Sequence, residues 1–460
     1  MNSLKYWLII IFALSIQSNF KNASAQWIQT GDLNDIGLYP FISVVDSNTV
    51  WIAGGDVSAV VYRTTNGGLN WISVPTSGLQ FALSGISAKD ASTAFVCDYA
   101  GNEAGGNAKV FKTTNAGMNW ILIDSTGGTN GFFNGIEFSK TQSQFGVTFS
   151  DPPAGQGNTY FLLKTTNGGN NWSRSSAPGI PNTVGLFFTL FVIDPLMYGF
   201  QTINLTTFQT KSYITKDGGT SWINGNQNIT YAEGVDLVFS DNKQTGLITN
   251  YNISHEIFRT TNGGVNWNSG STGLNLSGFS GACWISGTNT VFVFSNASTS
   301  GNNIIRSDDG GFSWTAQSTS GTLGLREMDY ARYDNTIVAY CVSSKGNILK
   351  SRQSVQTTGV LQSGNNTPGD FELHQNYPNP FNPNTKIRFS IAAETNYGTQ
   401  NVKLIVYDLL GKEIVKLADN KLSAGTYEVE FDGGNLPSGI YYYRLSAENH
   451  VEAKSMILIK

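Results

Sequence analysis

Six copies of one octapeptide constrain what this chain can fold into more than any other feature. They run from Thr64 to Trp71, Thr113 to Trp120, Thr165 to Trp172, Thr215 to Trp222, Thr260 to Trp267 and Ser307 to Trp314. The pattern is Ser/Thr, any residue, Asn/Asp, Gly/Ala, Gly, two residues of any type, Trp. The closing tryptophans lie 49, 52, 50, 45 and 47 residues apart, a period that belongs to solenoids and propellers. The stretches between copies alternate in the β manner and lack helical periodicity. That selects a β-propeller.

The octapeptide carries turn chemistry. Asn or Asp ahead of Gly-Gly favours a hairpin with positive φ. The side-chain oxygens of Asn66, Asn115, Asn167, Asp217, Asn262 and Asp309 can accept backbone N–H groups, and the Ser/Thr hydroxyl can brace the same bend. Trp71, Trp120, Trp172, Trp222, Trp267 and Trp314 then pack back between neighbouring units. The ends of the array give the blade count. The stretch from Trp27 to Gly31 resembles the strands that follow the motif, yet no motif precedes it. Gly346 to Ser351 resembles a pre-motif strand, yet no Gly-Gly or Trp follows. The two half-units complete one another, with Trp27 supplying the last strand of the final blade and closing the ring. The sequence therefore predicts seven blades.

These repeats resemble the Asp-box, or BNR repeat, of sialidase-like and photosystem-assembly-factor-like propellers. The resemblance implies a hairpin between the third and fourth strands of each blade, on the rim away from the usual binding face.

The first residues read as an export signal. Lys5 precedes an apolar stretch from Tyr6 to Ile16, and Ala23-Ser24-Ala25 supplies small residues for cleavage. The stretch is short for a membrane span, so residues 1–25 are expected to be removed, leaving no transmembrane segment in the mature chain. Charged residues make up 13% and aromatic residues 12%, with 51 glycines, which suits an ordered β-chain rather than a disordered one. A net charge of −4 provides no broad basic surface, so nucleic acid is not an expected partner. Cys97, Cys283 and Cys341 are too few for a disulfide framework and too scattered for a metal cluster.

The propeller is expected over residues 26–352, with a polar linker at 353–370. Beyond it, short strands with close turns suggest a small β-sandwich over 371–460. Three stretches carry a second resemblance: Asn376-Tyr377-Pro378-Asn379-Pro380-Phe381-Asn382-Pro383, Val406-Tyr407-Asp408-Leu409-Leu410-Gly411-Lys412, and Leu436-Pro437-Ser438-Gly439-Ile440-Tyr441-Tyr442. Together they resemble the type A sorting domain of the type IX secretion system. This resemblance implies a Gram-negative host of the Bacteroidetes type. It also implies engagement of the secretion machinery through residues 371–460, transport through the periplasm and across the outer membrane, and secretion or attachment to the cell surface.

Chemistry is sparse in the propeller. A sialidase would need three arginines to grip a substrate carboxylate. Of the seven propeller arginines, Arg63, Arg259 and Arg306 occupy a peripheral repeat position, and Arg174 and Arg352 belong to outer strands. Arg326 and Arg332 remain, too few for a triad, and the early Arg-Ile-Pro signature is missing. A glycoside hydrolase would need two opposed carboxylates. Its candidates are Glu137, Asp236 and Asp329 on innermost strands and Asp151 on a loop. Such carboxylates also commonly line a hydrated channel. Loops joining the second and third strands vary in length while the motif hairpins stay uniform, which is the layout of a binding face. Tyr39, Phe81, Phe132, Phe133 and Tyr231, near the inner-strand entrances, are the candidate ligand contacts. The sequence thus predicts an exported, monomeric protein- or glycan-binding propeller without metal or cofactor, with a secreted polysaccharide hydrolase as the alternative.

Overall fold

The computed structural model describes residues 27–459, apart from 99–106, 127–130, 153–157, 180, 225–228, 231–235, 251–255, 275–277, 297–302, 320–323, 334, 356–359, 365–369, 393–399, 423, 434–435 and 448–449. The expected signal peptide lies outside the described residues. No helix among the described residues is long and apolar enough to cross a membrane.

Strands between Ile28 and Ser354 form seven antiparallel sheets, the blades of the propeller. The innermost strands are Phe41–Val44, Leu83–Ala88, Phe133–Phe138, Phe191–Val192, Leu237–Phe239, Phe279–Trp284 and Leu325–Tyr333, one for each of blades 1 to 7. Each touches the next, and the seventh returns to the first. Blade 7 is completed from the far end of the chain. Ile28–Asp32 pairs antiparallel with Asn347–Ser354, Ile28 opposite Lys350 and Gln29 opposite Leu349. Trp27 is fully buried. Its ring meets Phe292 of blade 6 edge-on at 5.9 Å, and its Nε1 donates to Gln317 Oε1 at 2.9 Å. The N-terminal strand therefore belongs to blade 7 while its indole grips blade 6.

The apolar core is divided among the seven blade interfaces rather than pooled. Phe95, Cys97, Phe133 and Phe138 pack between blades 2 and 3, for example, and Ile42, Ile52, Val338 and Tyr340 between blades 7 and 1. Each strand buries alternate residues on opposite faces of its sheet, so each blade contributes to two interfaces. The motif tryptophans join these clusters on the side of the preceding blade: Trp172 meets Phe95, Trp222 meets Tyr198 near Phe145, and Trp314 packs with Leu247.

All six hairpins repeat three hydrogen bonds. In the first, the Thr64 hydroxyl donates to Asn66 Oδ1 at 2.9 Å, Gly68 N donates to Thr64 Oγ1 at 3.1 Å, and Asn70 N donates to Asn66 Oδ1 at 3.0 Å. In the fourth, Asp217 replaces Asn, and the same bonds run at 2.9, 2.7 and 2.8 Å. The two residues after Asn/Asp adopt positive φ in each copy. One of them is Ala116, at φ 65°, where an L-side chain is strained.

Past the propeller, eight strands form two four-stranded sheets that enclose a single core including Phe389, Leu404, Tyr427 and Tyr443. The sequence predicts a linker over residues 353–370. The structure differs at both ends. The last strand of blade 7 runs to Ser354, and Val360–Gly364 pairs with Gly425–Asp432 inside the C-terminal domain. The strand is only five residues long, Val360-Leu361-Gln362-Ser363-Gly364, and the polar residues around it disguise it in the sequence. The proline-rich opening of the domain lies along an edge: Phe381 N donates to Ile457 O at 2.9 Å and Ile459 N to Phe381 O at 3.0 Å. Asn376 is buried and ties this lead-in down, donating to Thr385 Oγ1 at 2.9 Å. An exposed strand edge is thereby covered by residues that cannot extend a sheet.

Candidate functional site

The innermost strands of a propeller present their free edges to a central channel, so their backbone N–H groups need partners. Here the partners are side chains from the preceding blade. Asp329 Oδ2 of blade 7 accepts Val44 N of blade 1 at 2.7 Å, and Glu327 Oε2 accepts Ile42 N. Ser43 Oγ of blade 1 accepts Ala88 N of blade 2 at 2.9 Å. Asp236 Oδ2 of blade 5 accepts Ala282 N of blade 6 at 2.9 Å, while its Oδ1 accepts Leu237 N at 2.7 Å. The central carboxylates thus stitch blade to blade.

They enclose a cavity of about 320 Å³, lined by Glu137, Lys140, Asp236, Glu327 and Asp329 among others. Lys140, just past the inner strand of blade 3, crosses the channel and donates to Asp329 of blade 7 at 2.8 Å. Burial opposes the charge on Lys140, but Asp329 outweighs it and raises the ammonium pKa. Burial pushes the Glu137 carboxyl up to about 8, with Lys140 opposing and Asp329 and Asp236 adding to the rise. Burial lifts Asp236 to about 7 against its two amide donors, and raises Glu327 despite the Ile42 N–H. Burial thus favours the protonated form of Glu137 and, in the same direction, of Glu327, while the Lys140–Asp329 ion pair spans the channel.

Asp151 stands apart from this cavity. Its Oδ1 accepts Gly185 N at 2.6 Å and Asn134 Nδ2 at 2.9 Å, and burial raises it to about 7. Of the four hydrolase candidates, Asp151, Asp236 and Asp329 are therefore committed to structural hydrogen bonds. Glu137 has no hydrogen-bond partner among the described residues. A lone protonated acid can donate a proton, but among the described residues the cavity-lining acids Asp236, Glu327 and Asp329 each accept structural hydrogen bonds rather than standing free to activate water. Among the described residues, no group of three His, Cys, Asp or Glu is arranged to hold a metal ion.

The mouth opposite the octapeptide hairpins is built from aromatic rings. The inner strand of blade 4 is split: Thr183–Gly185 and Phe191–Val192 both pair with Tyr198–Asn204, and residues 186–190 loop out between them. That loop carries Phe187 and Phe188 across the channel. Phe188 stacks on Phe41 of blade 1 at 4.6 Å, with its own backbone at φ 62°. Phe187 lies 5.9 Å from Tyr39 and 5.2 Å from Phe132, ring centre to ring centre. Arg326, at the start of blade 7, places its guanidinium 5.2 Å from the centre of the Tyr39 ring.

Of the aromatic candidates, the structure brings Tyr39 and Phe132 together at this mouth. Phe81 is half-buried and forms no ring contact with the cluster. Phe133 is fully buried against Phe161 between blades 2 and 3, so it is a core residue and not a ligand contact. The bulge that separates it from Gly135 turns its side chain inward. Tyr231 lies outside the described residues. Phe187, Phe188 and Lys140 carry no signal in the sequence that marks them as channel residues. The apolar run Leu186-Phe187-Phe188-Thr189-Leu190 reads as a continuous strand, and its length was the one signal that could have marked an insertion.

The fold and the C-terminal domain together define the class: an exported seven-bladed propeller, six of whose blades carry the octapeptide hairpin, followed by a sorting domain. Residues 375–460 match the family described as "Secretion system C-terminal sorting domain", which marks export by type IX secretion across the outer membrane, to secretion or surface attachment. Among solved structures, the chain is similar to "YCF48 bound to D1 peptide", at 17% identity and TM-score 0.51, over 72% of this chain and 95% of that one. It also matches YCF48 from Cyanidioschyzon merolae (16% identity, TM-score 0.34, 58% of this chain and 95% of that one) and the GH74 enzyme of Niastella koreensis (10%, 0.26, 88% and 91%). No curated protein matches the chain.

Proposed function

We propose that the propeller is a binding module that works outside the cell and takes its ligand at the aromatic mouth of the channel. The observation that carries this reading is the convergence of Tyr39, Phe132, Phe187 and Arg326 from blades 1, 3, 4 and 7 on one opening. Tyr39 keeps 39% of its surface exposed. An exposed Tyr39 ring flanked by half-buried Phe132 and Phe187, beside a cation, suits stacking on a flat or ring-shaped ligand. Asp236, Glu327 and Asp329 below are occupied in holding the ring together, and Glu137 stands alone, which favours binding over hydrolysis.

A pull-down of the exported full chain on a panel of insoluble polysaccharides and outer-surface protein extracts tests this. The wild type should be retained by at least one ligand, and the double variant Tyr39→Ala/Phe187→Ala should lose that retention while melting at nearly the same temperature. Equal retention of the two forms would place the ligand elsewhere and overturn the reading.

A further inference from the structure

The geometry points to a carboxylate-bearing sugar, a hexuronate unit of an acidic polysaccharide, as the ligand that the mouth recognises through Arg326. This rests on the proposed binding role and specifies its chemistry. Arg326 makes no ion pair and no hydrogen bond among the described residues; its one resolved contact is the Tyr39 ring. Its Nε is buried without an acceptor, as are those of Arg63 and Arg259, which also lie over aromatic rings, so only its terminal N–H groups are left to meet a ligand. A guanidinium presents terminal N–H groups that match a carboxylate. The adjacent Glu327 cannot serve, because its carboxyl is turned into the channel to accept Ile42 N. The terminal N–H groups of Arg326 are therefore without an acceptor among the described residues, and a carboxylate from outside the blade fits them.

The surroundings select a sugar over a peptide. Tyr39 and Phe187 at 5.9 Å, with Phe132 a further 5.2 Å from Phe187, form an apolar floor beside the cation. A uronate carries its carboxylate directly on a ring whose C–H face can lie on such a floor. A peptide that binds by extending a sheet needs free strand edges. At this channel the edge amides of Ile42, Val44, Ala88 and Ala282 are already taken by neighbouring side chains.

Calorimetric titration of the exported full chain with polygalacturonate, its methyl ester, a neutral galactan and polyglutamate tests the inference. The wild type should prefer polygalacturonate over the ester and the galactan, and its affinity should fall as salt rises. Arg326→Gln should weaken polygalacturonate binding roughly 10- to 100-fold, and Arg326→Lys less, with unchanged melting temperatures for both. Equal binding of the acid and its ester, preference for polyglutamate, or an unaffected Arg326→Gln variant would overturn the uronate assignment. Failure of the wild type to bind any of the four while still binding another ligand through Tyr39 and Phe187 would sink the assignment alone. Absence of all ligand binding would sink the binding role as well.

Discussion

At the scale of single residues, the octapeptide performs one task six times. Its Ser/Thr hydroxyl and its Asn/Asp oxygen fold the bend back on itself, and the second glycine allows the bend to approach the preceding blade. A Cβ on Gly169 would strike the Phe95 ring, and one on Gly264 would strike Ile214. Ala116 departs from this pattern at φ 65°. Ala116→Gly should therefore stabilise the protein by about 0.5–1 kcal/mol, the relief of a left-handed L-residue less the added freedom of the unfolded chain. A calorimetric melt would show it as a rise of a degree or two. Asn167→Ala removes the acceptor of both Thr165 Oγ1 and Asn171 N and should cost about 1–2 kcal/mol. This chemistry was legible in the sequence because it is local: donor and acceptor lie within four residues of each other.

At the scale of strands and loops, the informative contacts join residues far apart in the chain, and there the sequence reading stops. Nothing near Lys140 announces that it crosses the channel to Asp329, 189 residues away. The inner-strand acids Asp236 and Asp329 could be placed beside a channel from the repeat alone. That they accept the amides of Ala282 and Val44 depends on how adjacent blades stagger, which no periodicity reveals. Asp329→Ala would leave Lys140 without its counter-ion and Val44 N without its acceptor. With the lysine partly solvated, a loss of roughly 2 kcal/mol is expected by chemical denaturation. The buried acids also set a pH dependence. Glu137 and Asp236 have folded pKa values raised to about 8 and about 7, so the folded protein binds more protons than the unfolded chain between these values and the ordinary carboxylate range. Their contribution to stability is complete at acidic pH below that range and is lost as pH rises toward 8. Melting temperature should fall between pH 5 and pH 8, and Glu137→Gln should flatten that fall.

At the scale of the whole molecule, two ends of one chain serve two different purposes. The N-terminal strand closes the ring, pairing with Asn347–Ser354 while Trp27 is buried against blade 6. Trp27→Ala should cost about 3–5 kcal/mol, seen as a lower and broader unfolding transition. The C-terminal domain acts in export: deletion of residues 375–460 should leave the propeller in the periplasm, as fractionation and surface labelling would show. Surface display at normal levels would contradict that role. Both ends were legible because their signals are strong in sequence, a displaced half-repeat and a dense set of motif residues. The linker boundary was not, because Val360–Gly364 acquires its strand character only by pairing with Gly425–Asp432.

The central claim is that the channel acids hold the blades together while the mouth above them binds without cutting. Its most direct test is to incubate the exported full chain with the polysaccharides it retains and to assay for new reducing ends. The account predicts retention with no release of reducing ends, for the wild type and for Glu137→Gln alike. Reducing ends released by the wild type and abolished by Glu137→Gln would contradict it and make Glu137 a catalytic acid.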